Sequence, residues 1–355
     1  MTIHIETAPV RKPKPWGQDL GFGTFVTDHM FVCDYREGEG WVDHRVVPYG
    51  SFTLDPAALV LHYGQALFEG IKAFRQPDGG VAVFRPDRNA KRLNASAARM
   101  AMPELPEAMF LDAVRTLLRV EADWVPDAPG ASLYLRPVMV ANEAALGVRR
   151  ASRYLFYIIL TPVAPYYSPG NPAFRLLATE EFARSADGGA GGAKTSGNYG
   201  QTIVALEAAR ARGYDNLLWL DGARHELIEE AGITNVFVVT GDTVLTPPLN
   251  GRILPGVTRE SVMQLIGGWG RPVVEREIPI HELLRGIDDG SVREVFVTGT
   301  ATVVAPVGSI TFRDRTHMLP DIGGGESLAR RLYDALDGIQ RGTRPDPFGW
   351  SMAVD

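Results

Sequence analysis

A run of turn-forming residues interrupts this sequence close to its middle, between residues 165 and 172. It holds three prolines, a glycine and an asparagine within eight positions, and such a run ends regular structure on both sides. A chain of 355 residues also exceeds what one ordinary hydrophobic core accommodates. The sequence therefore predicts a first domain over residues 1–165, a linker over residues 166–174 and a second domain over residues 175–355.

The two predicted domains differ in their patterns. The first alternates apolar strand-like runs with helical segments, among them a helix predicted over residues 54–68, which is typical of an α/β domain. The second consists mainly of short strands separated by turns, including one predicted over residues 225–229. That pattern favours a barrel-like domain with peripheral helices. The fold class expected is mixed α/β.

The composition excludes several classes of protein. No apolar run reaches the roughly 18 to 20 residues of a membrane-spanning helix, and residues 1–15 lack the apolar core of a secretion signal, so we expect a cytoplasmic protein. Its one cysteine, Cys33, permits no intrachain disulfide or cysteine-rich metal site, and we expect no metal. A net charge of −6 gives no reason to expect nucleic acid or a membrane as partner. A small-molecule substrate is indicated.

Lysine is scarce in this chain, with five residues among 36 basic ones, and one of them is in an unusual setting. Lys194 follows the nearly side-chain-free run of residues 188–193. Glycines allow a backbone to approach a bulky group closely, so this run favours a cofactor beside Lys194 slightly over a mobile surface loop.

A different class of site must also be weighed for the same loop. Residues 188–195 come within one position of the phosphate-binding pattern of P-loop NTPases, and Asp221 follows a strand as a magnesium-binding aspartate would. Against this hypothesis, Ala193 replaces a glycine that wraps the phosphates. Asp221 also precedes Gly222 in an ordinary turn signal.

Three further segments carry chemically useful groups. Glu229 and Glu230 end a predicted strand, and strand alternation predicts that at most one of them points inward. Residues 256–258 precede a predicted helix, and free N–H groups at a helix start bind phosphate well. Residues 299–301 form a small-residue turn with a hydroxyl. Each signal is weak by itself.

Taken together, these segments resemble the branched-chain amino-acid aminotransferases, a family of the fold-type IV pyridoxal-phosphate enzymes. The resemblance covers nearly the whole chain from Phe22 onwards. Its blocks are HYGQALFEGIKAFR (residues 62–75), LYLRP (133–137), AKTSGNY (193–199), EAGITN (230–235), LPGVTR (254–259) and GTA (299–301). It implies a smaller α/β sandwich domain and a larger β-barrel-like domain.

The resemblance also implies pyridoxal 5′-phosphate as cofactor and assigns its ligands. Lys194 would hold the cofactor as a Schiff base and act as the catalytic acid and base. Glu230, not Glu229, would face the ring nitrogen, and Tyr199 would hydrogen-bond the phenolic oxygen. The phosphate would be bound by Arg92, Val257, Thr258 and Thr300. An arginine suits a phosphate because its fork donates two charge-assisted hydrogen bonds.

On the substrate side, the resemblance implies an apolar wall for leucine, isoleucine and valine. Its residues would be Phe22, Tyr63, Tyr134, Tyr166, Leu146 and Val148, with Tyr63, Leu146 and Val148 from the neighbouring subunit of a homodimer. Arg136 would recognise the side-chain carboxylate of glutamate or 2-oxoglutarate, and Thr300 and Ala301 the α-carboxylate. The implied reaction is ping-pong transamination between a branched-chain amino acid and 2-oxoglutarate. The alternatives with the same fold are a D-amino-acid aminotransferase and an aminodeoxychorismate lyase.

This sequence departs from the usual family pattern at a few positions. Thr195 and Ser196 follow the lysine where an apolar residue and glycine are more common, and Ile233 stands where threonine is common. We expect these differences to change hydrogen bonds around the site and to leave the chemistry intact.

Overall fold

A computed structural model describes residues 2–167, 172–320 and 327–354 of the chain. Its strands are β1 (His4–Ile5), β2 (His29–Arg36), β3 (Gly40–Pro48), β4 (Ala66–Phe68), β5 (Ile71–Arg75), β6 (Val81–Phe84), β7 (Ser132–Ala141), β8 (Arg153–Val163), β9 (Phe174–Thr179), β10 (Asn216–Leu220), β11 (Ile228–Ala231), β12 (Thr234–Thr240), β13 (Thr243–Thr246), β14 (Val273–Glu275), β15 (Val292–Gly299), β16 (Val303–Phe312), β17 (Arg315–Met318) and β18 (Ser351–Val354). Its helices are α1 (Leu59–Tyr63), α2 (Pro86–Arg99), α3 (Glu107–Val120), α4 (Gly197–Gly200), α5 (Ile203–Ala211), α6 (Val257–Gly268), α7 (Ile280–Asp289) and α8 (Leu328–Gln340).

The chain divides into two compact units. Unit 1 comprises Met1–Pro165, Ala193–Gly197 and Gly338–Asp355, and unit 2 comprises Tyr166–Gly192 and Asn198–Asp337. The predicted linker over residues 166–174 includes residues 168–171, which lie outside the described residues. Among the helices that the structure describes, none is long and apolar enough to cross a membrane.

Unit 1 is built on a nine-stranded sheet. The strand order is β1-β3-β2-β8-β7-β5-β6-β18, with β4 paired to β7 off this path. The continuous apolar runs over residues 133–140 and 154–163, a pattern that predicts buried strands, form β7 and β8. These strands pair antiparallel from Ser132↔Val163 to Ala141↔Tyr154. Helix α3 packs against β2 and buries Phe110, Val114 and Leu117, which recur at helical spacing. Sheet and helix therefore share one core.

The helix predicted over residues 54–68 is wrong for most of its length. Only Leu59–Tyr63 is helical, and Gly64 ends α1 in the left-handed conformation with φ 63°, which glycine adopts without steric cost. The residues beyond it form β4, with Ala66 opposite Val140 of β7. That pairing partner lies far along the chain, so the local apolar pattern alone could not reveal a strand here.

Unit 2 is built on a closed barrel. The strands β11-β10-β9-β16-β15-β12 are neighbours in that order, and a further pairing of β11 with β12 closes the six-stranded ring. Phe237 and Phe296 stack with ring centroids 5.0 Å apart and are fully buried. Helices α6 and α7 both pack against β15. The predicted mixed α/β fold with a barrel-like domain and peripheral helices is confirmed.

The strand predicted over residues 225–229 begins later than expected. His225 has φ 55° in a turn, and β11 starts at Ile228. The carboxylate of Asp221 causes the turn, because it accepts the backbone N–H groups of Arg224, Glu226 and Leu227 at 2.8–2.9 Å. Asp221 thus has the structural role that its Asp-Gly signal indicated.

Candidate active site

The segment that carries Lys194 is fixed by two neighbouring elements of unit 1. The N–H of Phe68 donates to the Lys194 carbonyl at 3.1 Å, and Thr195 Oγ1 donates to the Ala66 carbonyl at 2.8 Å, so the segment lies along β4. On α2, Ser96 Oγ accepts the N–H of Lys194 at 2.9 Å. These contacts hold the lysine in place, in contrast to the mobile surface loop considered above.

The surroundings of Lys194 also differ from those of a phosphate-binding NTPase loop. Such a loop runs from a strand directly into a long helix that begins at its lysine and threonine. Here Thr195 instead forms an antiparallel β-bridge to Leu67 of β4, and the helix that follows, α4, is a single turn. The carboxylate of Asp221, the candidate magnesium ligand, accepts hydrogen bonds from backbone N–H groups. The geometry does not support the NTPase hypothesis.

The amine of Lys194 lies in an environment that weakens its basicity. Its Nζ is 4.8 Å from the centre of the Phe68 ring. Burial lowers the pKa of Lys194 from 10.5 to about 8, and the positive charges of Arg92 and Arg136 act in the same direction. Glu69 and Tyr134 oppose the change. Far more of the amine is therefore neutral at pH 7 than in an ordinary lysine, and the neutral form is the one that acts as nucleophile or proton acceptor.

One face of α2 supplies polar side chains to this region. Asn89, Arg92 and Ser96 follow each other at spacings of three and four, which places them on one side of the helix, and all three are buried. Arg92 donates from Nε and Nη2 to the two carboxylate oxygens of Glu69 at 2.8 and 2.7 Å, and Asn89 donates to the same carboxylate at 2.7 Å. The Nε and Nη2 edge of the Arg92 guanidinium is therefore bound to Glu69 of the same chain.

Glu69 is a residue that the sequence reasoning missed. It is fully buried, and burial by itself would raise the pKa of its carboxyl. The charge and hydrogen bonds of Arg92, together with the charge of Lys194 and the hydrogen bond from Asn89, outweigh that effect and hold the pKa of Glu69 below its usual value. The available signal was a carboxylate between Phe68 and Gly70, next to an apolar strand, because a charge in such a place needs a partner.

A second group in unit 1 contains three of the predicted wall and recognition residues. The rings of Phe22 and Tyr134 meet edge to face with centroids 4.9 Å apart, and Arg136 donates to the Tyr134 hydroxyl at 3.2 Å. The Arg136 guanidinium also lies 4.8 Å from the Phe68 ring, the same ring that Lys194 faces. A Cβ at Gly70 would lie 2.0 Å from the Tyr134 hydroxyl. Glycine at position 70 therefore leaves room for the Tyr134 hydroxyl.

The other predicted wall residues of unit 1 are on the surface. Tyr63 donates from its hydroxyl to the carbonyl of Leu146. Leu146 and Val148 are 66% and 84% exposed. An apolar side chain can contribute to a neighbouring subunit only if it is exposed on its own chain, as these side chains are.

In unit 2, both of the adjacent glutamates are buried, although strand alternation places them on opposite faces of β11. That at most one of them points inward stays a prediction. Glu229 and Glu230 are each 2% exposed, because neighbouring arginines cover both faces of β11. Arg252 pairs with Glu229, and Arg184 pairs with Glu230 at 2.7 Å. Burial raises the pKa of Glu229 even though Arg252 acts against it.

Arg184 is the second residue that the sequence reasoning missed. It is 4% exposed and also donates to the carbonyls of Arg252 at 2.9 Å and Gly191 at 3.3 Å. One guanidinium thus joins Glu230 to the glycine-rich loop. The available signal was an arginine four residues before that loop.

The remaining predicted residues of unit 2 occupy turns and helix starts. Asn235 donates to Glu230 at 3.3 Å and to the Leu254 carbonyl at 3.0 Å, which ties β12 to the turn before α6. Helix α6 begins there with Val257 and Thr258, both buried. Elsewhere in this unit, Thr300 and Ala301 form the turn between β15 and β16 and are half-buried, Tyr199 lies half-buried in α4, and Tyr166 is 50% exposed.

Comparison with known proteins gives a consistent result. The family model described as "Amino-transferase class IV" matches residues 66–310. Two proteins of Bacillus subtilis, "Branched-chain-amino-acid aminotransferase 2" and "Branched-chain-amino-acid transaminase 1", are 43% and 46% identical over 353 residues, and the matches cover 99% of this chain and 97% and 99% of theirs. The crystal structure of the T.th. branched-chain amino acid aminotransferase complexed with N-(5′-phosphopyridoxyl)-L-glutamate superposes with a TM-score of 0.74 at 26% identity, covering 92% of this chain and 98% of that one.

Proposed function

Because the chain belongs to the class IV aminotransferases, and within them to the branched-chain amino-acid aminotransferases, we propose that it transfers the amino group of L-leucine, L-isoleucine or L-valine to 2-oxoglutarate. The products are the branched 2-oxo acid and L-glutamate, formed by a ping-pong mechanism. The observation that carries this proposal is the Lys194 amine, which is weakened as a base, faces Phe68 and lies within the electrostatic reach of Arg92.

The side chains present suit the cofactor of this family, pyridoxal 5′-phosphate. Lys194 offers an amine that is partly neutral near neutral pH, Arg92 offers a buried cation for the phosphate, and Glu230 offers a buried carboxylate for a ring nitrogen. The N-terminus of α6, at Val257 and Thr258, adds backbone donors of the kind that phosphate prefers. We assign Thr300 to the phosphate and Tyr199 to the phenolic oxygen on the family resemblance. When bound, this cofactor supplies an electron sink for the substrate's α-carbon.

Proton movement falls to two residues of this chain. The neutral Nζ of Lys194 accepts the substrate's α-proton and returns it later in the cycle, which makes it the catalytic acid and base. Glu230 keeps a proton at the ring nitrogen, and its buried pairing with Arg184 supports a carboxylate that stays ionised.

Specificity follows from an apolar wall that also contains one cation. Phe22 and Tyr134 present ring surface to the methyl groups of a branched side chain, each buried CH₂ contributing roughly 0.8 kcal/mol. Arg136, held by Tyr134, recognises the side-chain carboxylate of glutamate in the other half-reaction. Tyr166 completes the wall, and Thr300 and Ala301 bind the α-carboxylate.

We further propose that the enzyme is a cytoplasmic homodimer. Tyr63, Leu146 and Val148, which are exposed on unit 1, would complete the apolar wall of the partner subunit.

The test is the Lys194→Ala protein beside a Lys91→Ala control, whose lysine is an exposed residue of α2. Lys194→Ala is expected to lose the visible absorption band of the bound cofactor and all turnover of L-leucine with 2-oxoglutarate. It should still bind inorganic phosphate through Arg92. The Lys91→Ala protein should keep the band and the turnover.

Two results would contradict the proposal. One is a borohydride-trapped cofactor on a lysine other than Lys194, found by peptide mass spectrometry. The other is turnover of D-alanine with no turnover of L-leucine, which would indicate a D-amino-acid aminotransferase.

A further inference from the structure

Glu69 is the anionic group in a set of charges that is otherwise positive. Its carboxylate is fully buried and accepts two hydrogen bonds from Arg92 and one from Asn89. Its charge acts on Lys194, and the charge of Lys194 acts on it in return. Neither the family resemblance nor the proposed reaction assigns this carboxylate a role.

The groups that act on Lys194 come from three directions. Arg92 reaches it from α2, Arg136 and the hydroxyl-bearing Tyr134 from β7, and Glu69 from the end of β4. Both arginines disfavour the protonated amine, and burial does so as well. Among these neighbours Glu69 is the ionised group that favours a proton on Lys194.

We propose that Glu69 is a positioning residue that sets the basicity of Lys194, by holding Arg92 through a two-bond contact and by setting its own negative charge against the surrounding cations. This inference rests on the proposed function, because it concerns the amine that the reaction uses as acid and base.

The chemical reason for such a residue lies in the two tasks of the amine. It must be neutral often enough to attack a carbonyl and accept a proton, yet basic enough to keep a proton taken from carbon. Burial beside two arginines alone would make it a poor base. The bidentate contact with Arg92 also keeps the guanidinium from turning towards the amine, since both carboxylate oxygens are engaged.

The test measures Lys194 in the full-length protein freed of cofactor. Trace acetylation with acetic anhydride over a range of pH, read at Lys194 by peptide mass spectrometry, gives the pH at which the amine loses its proton. The wild-type midpoint is expected at about pH 8. Glu69→Gln keeps the shape and removes the charge, so it should lower the midpoint by about one pH unit or more, a roughly tenfold change in the ratio of protonated to neutral amine.

Two variants separate this role from a merely structural one. Glu69→Asp retains the charge and should restore most of the wild-type midpoint. Glu121→Gln removes another fully buried carboxylate of unit 1, whose partners are His29 and Arg11, and should leave the Lys194 midpoint unchanged.

The inference is overturned if Glu69→Gln leaves the midpoint in place or raises it, or if Glu121→Gln lowers it equally. If Glu69→Gln does not fold, Arg92→Met is compared with Glu69→Gln/Arg92→Met, in which no unpaired arginine remains. The double variant must then have the lower midpoint. Loss of the proposed function would be seen separately, as a wild-type protein that forms no visible cofactor band.

Discussion

At the scale of single residues, two buried carboxylates of this protein are paired with buried arginines. Glu69 with Arg92 in unit 1, and Glu230 with Arg184 in unit 2, each lie below one-tenth exposure. A buried pair gains little over an apolar pair, but removing one partner leaves an uncompensated charge away from water. Pairing with an arginine is thus the condition under which these two carboxylates can stay inside this fold.

Arg184→Met tests this condition in unit 2. The change leaves Glu230 buried without its cation, so we expect the free energy of unfolding to fall by about 3–5 kcal/mol, measured by urea denaturation. The matched control is Arg175→Met, because Arg175 pairs with Asp215 at an exposed position, where water screens the pair, so this change should lower the free energy of unfolding far less. Equal losses in the two variants would contradict the argument.

At the scale of elements, short strands, one helix face and a tightly packed loop set the positions of the candidate site residues. The strand β4 has three residues, yet the lysine segment lies along its whole length, and the strand leads directly into Glu69. Helix α2 supplies Asn89, Arg92 and Ser96 from one face. In unit 2 the glycine-rich loop packs so closely that a Cβ at Gly191 would lie 2.2 Å from the Arg252 carbonyl. The backbone, more than any side chain, sets the position of that loop.

Gly191→Ala is expected to disturb this packing severely. Contacts under 3.0 Å with backbone force the loop to move, and Arg184 loses its alignment with the Gly191 carbonyl. We expect at least a tenfold loss of cofactor affinity, since about 1.4 kcal/mol of strain corresponds to tenfold, measured by fluorescence titration. Gly200→Ala, where the added methyl group meets open space, is the control. Wild-type affinity for Gly191→Ala would contradict the prediction.

At the scale of the whole molecule, the distribution of apolar surface points to self-association. In unit 1, Leu61, Leu146 and Val148 are 60%, 66% and 84% exposed, and exposed apolar groups close together commonly mark an interface. The proposed homodimer would cover them. It would also make each active site depend on two chains.

A hybrid dimer tests this dependence. Val148→Asp should lower kcat/KM for L-leucine by about tenfold or more, because a charge against methyl groups costs at least about 1–3 kcal/mol, while Lys194→Ala is inactive. After unfolding and refolding together, hybrids combine the intact Lys194 of one chain with the intact Val148 of the other. The mixture should therefore be more active than the two proteins measured separately.

Light scattering on the same samples should give the mass of two 38.7 kDa chains. A mixture whose activity equals the average of its parents, in a sample that is dimeric, would show that Val148 does not act across subunits.

The sequence by itself determined the family and the broad architecture, and it singled out Lys194 as the candidate cofactor lysine. Those features depend on local order along the chain: motif blocks, the scarcity of lysine, the glycine run before Lys194, and the change from alternating helices and strands to short strands with turns. Helix α2 and strands β6 and β10 agree closely with the sequence patterns, which predict a helix over residues 88–98 and strands over residues 81–84 and 216–220. These patterns are complete within a few turns or residues.

Only the tertiary structure decided which charges meet and which faces are covered. The residues 66–68 became a strand because β7 lies beside them, β18 returns from the end of the chain to pair with β6, and both faces of β11 are buried because Arg184 and Arg252 cover them. Glu69 is paired in the same way, with an arginine 23 residues away. Contacts of this kind depend on how distant segments pack, and that information is not contained in the spacing of neighbouring residues.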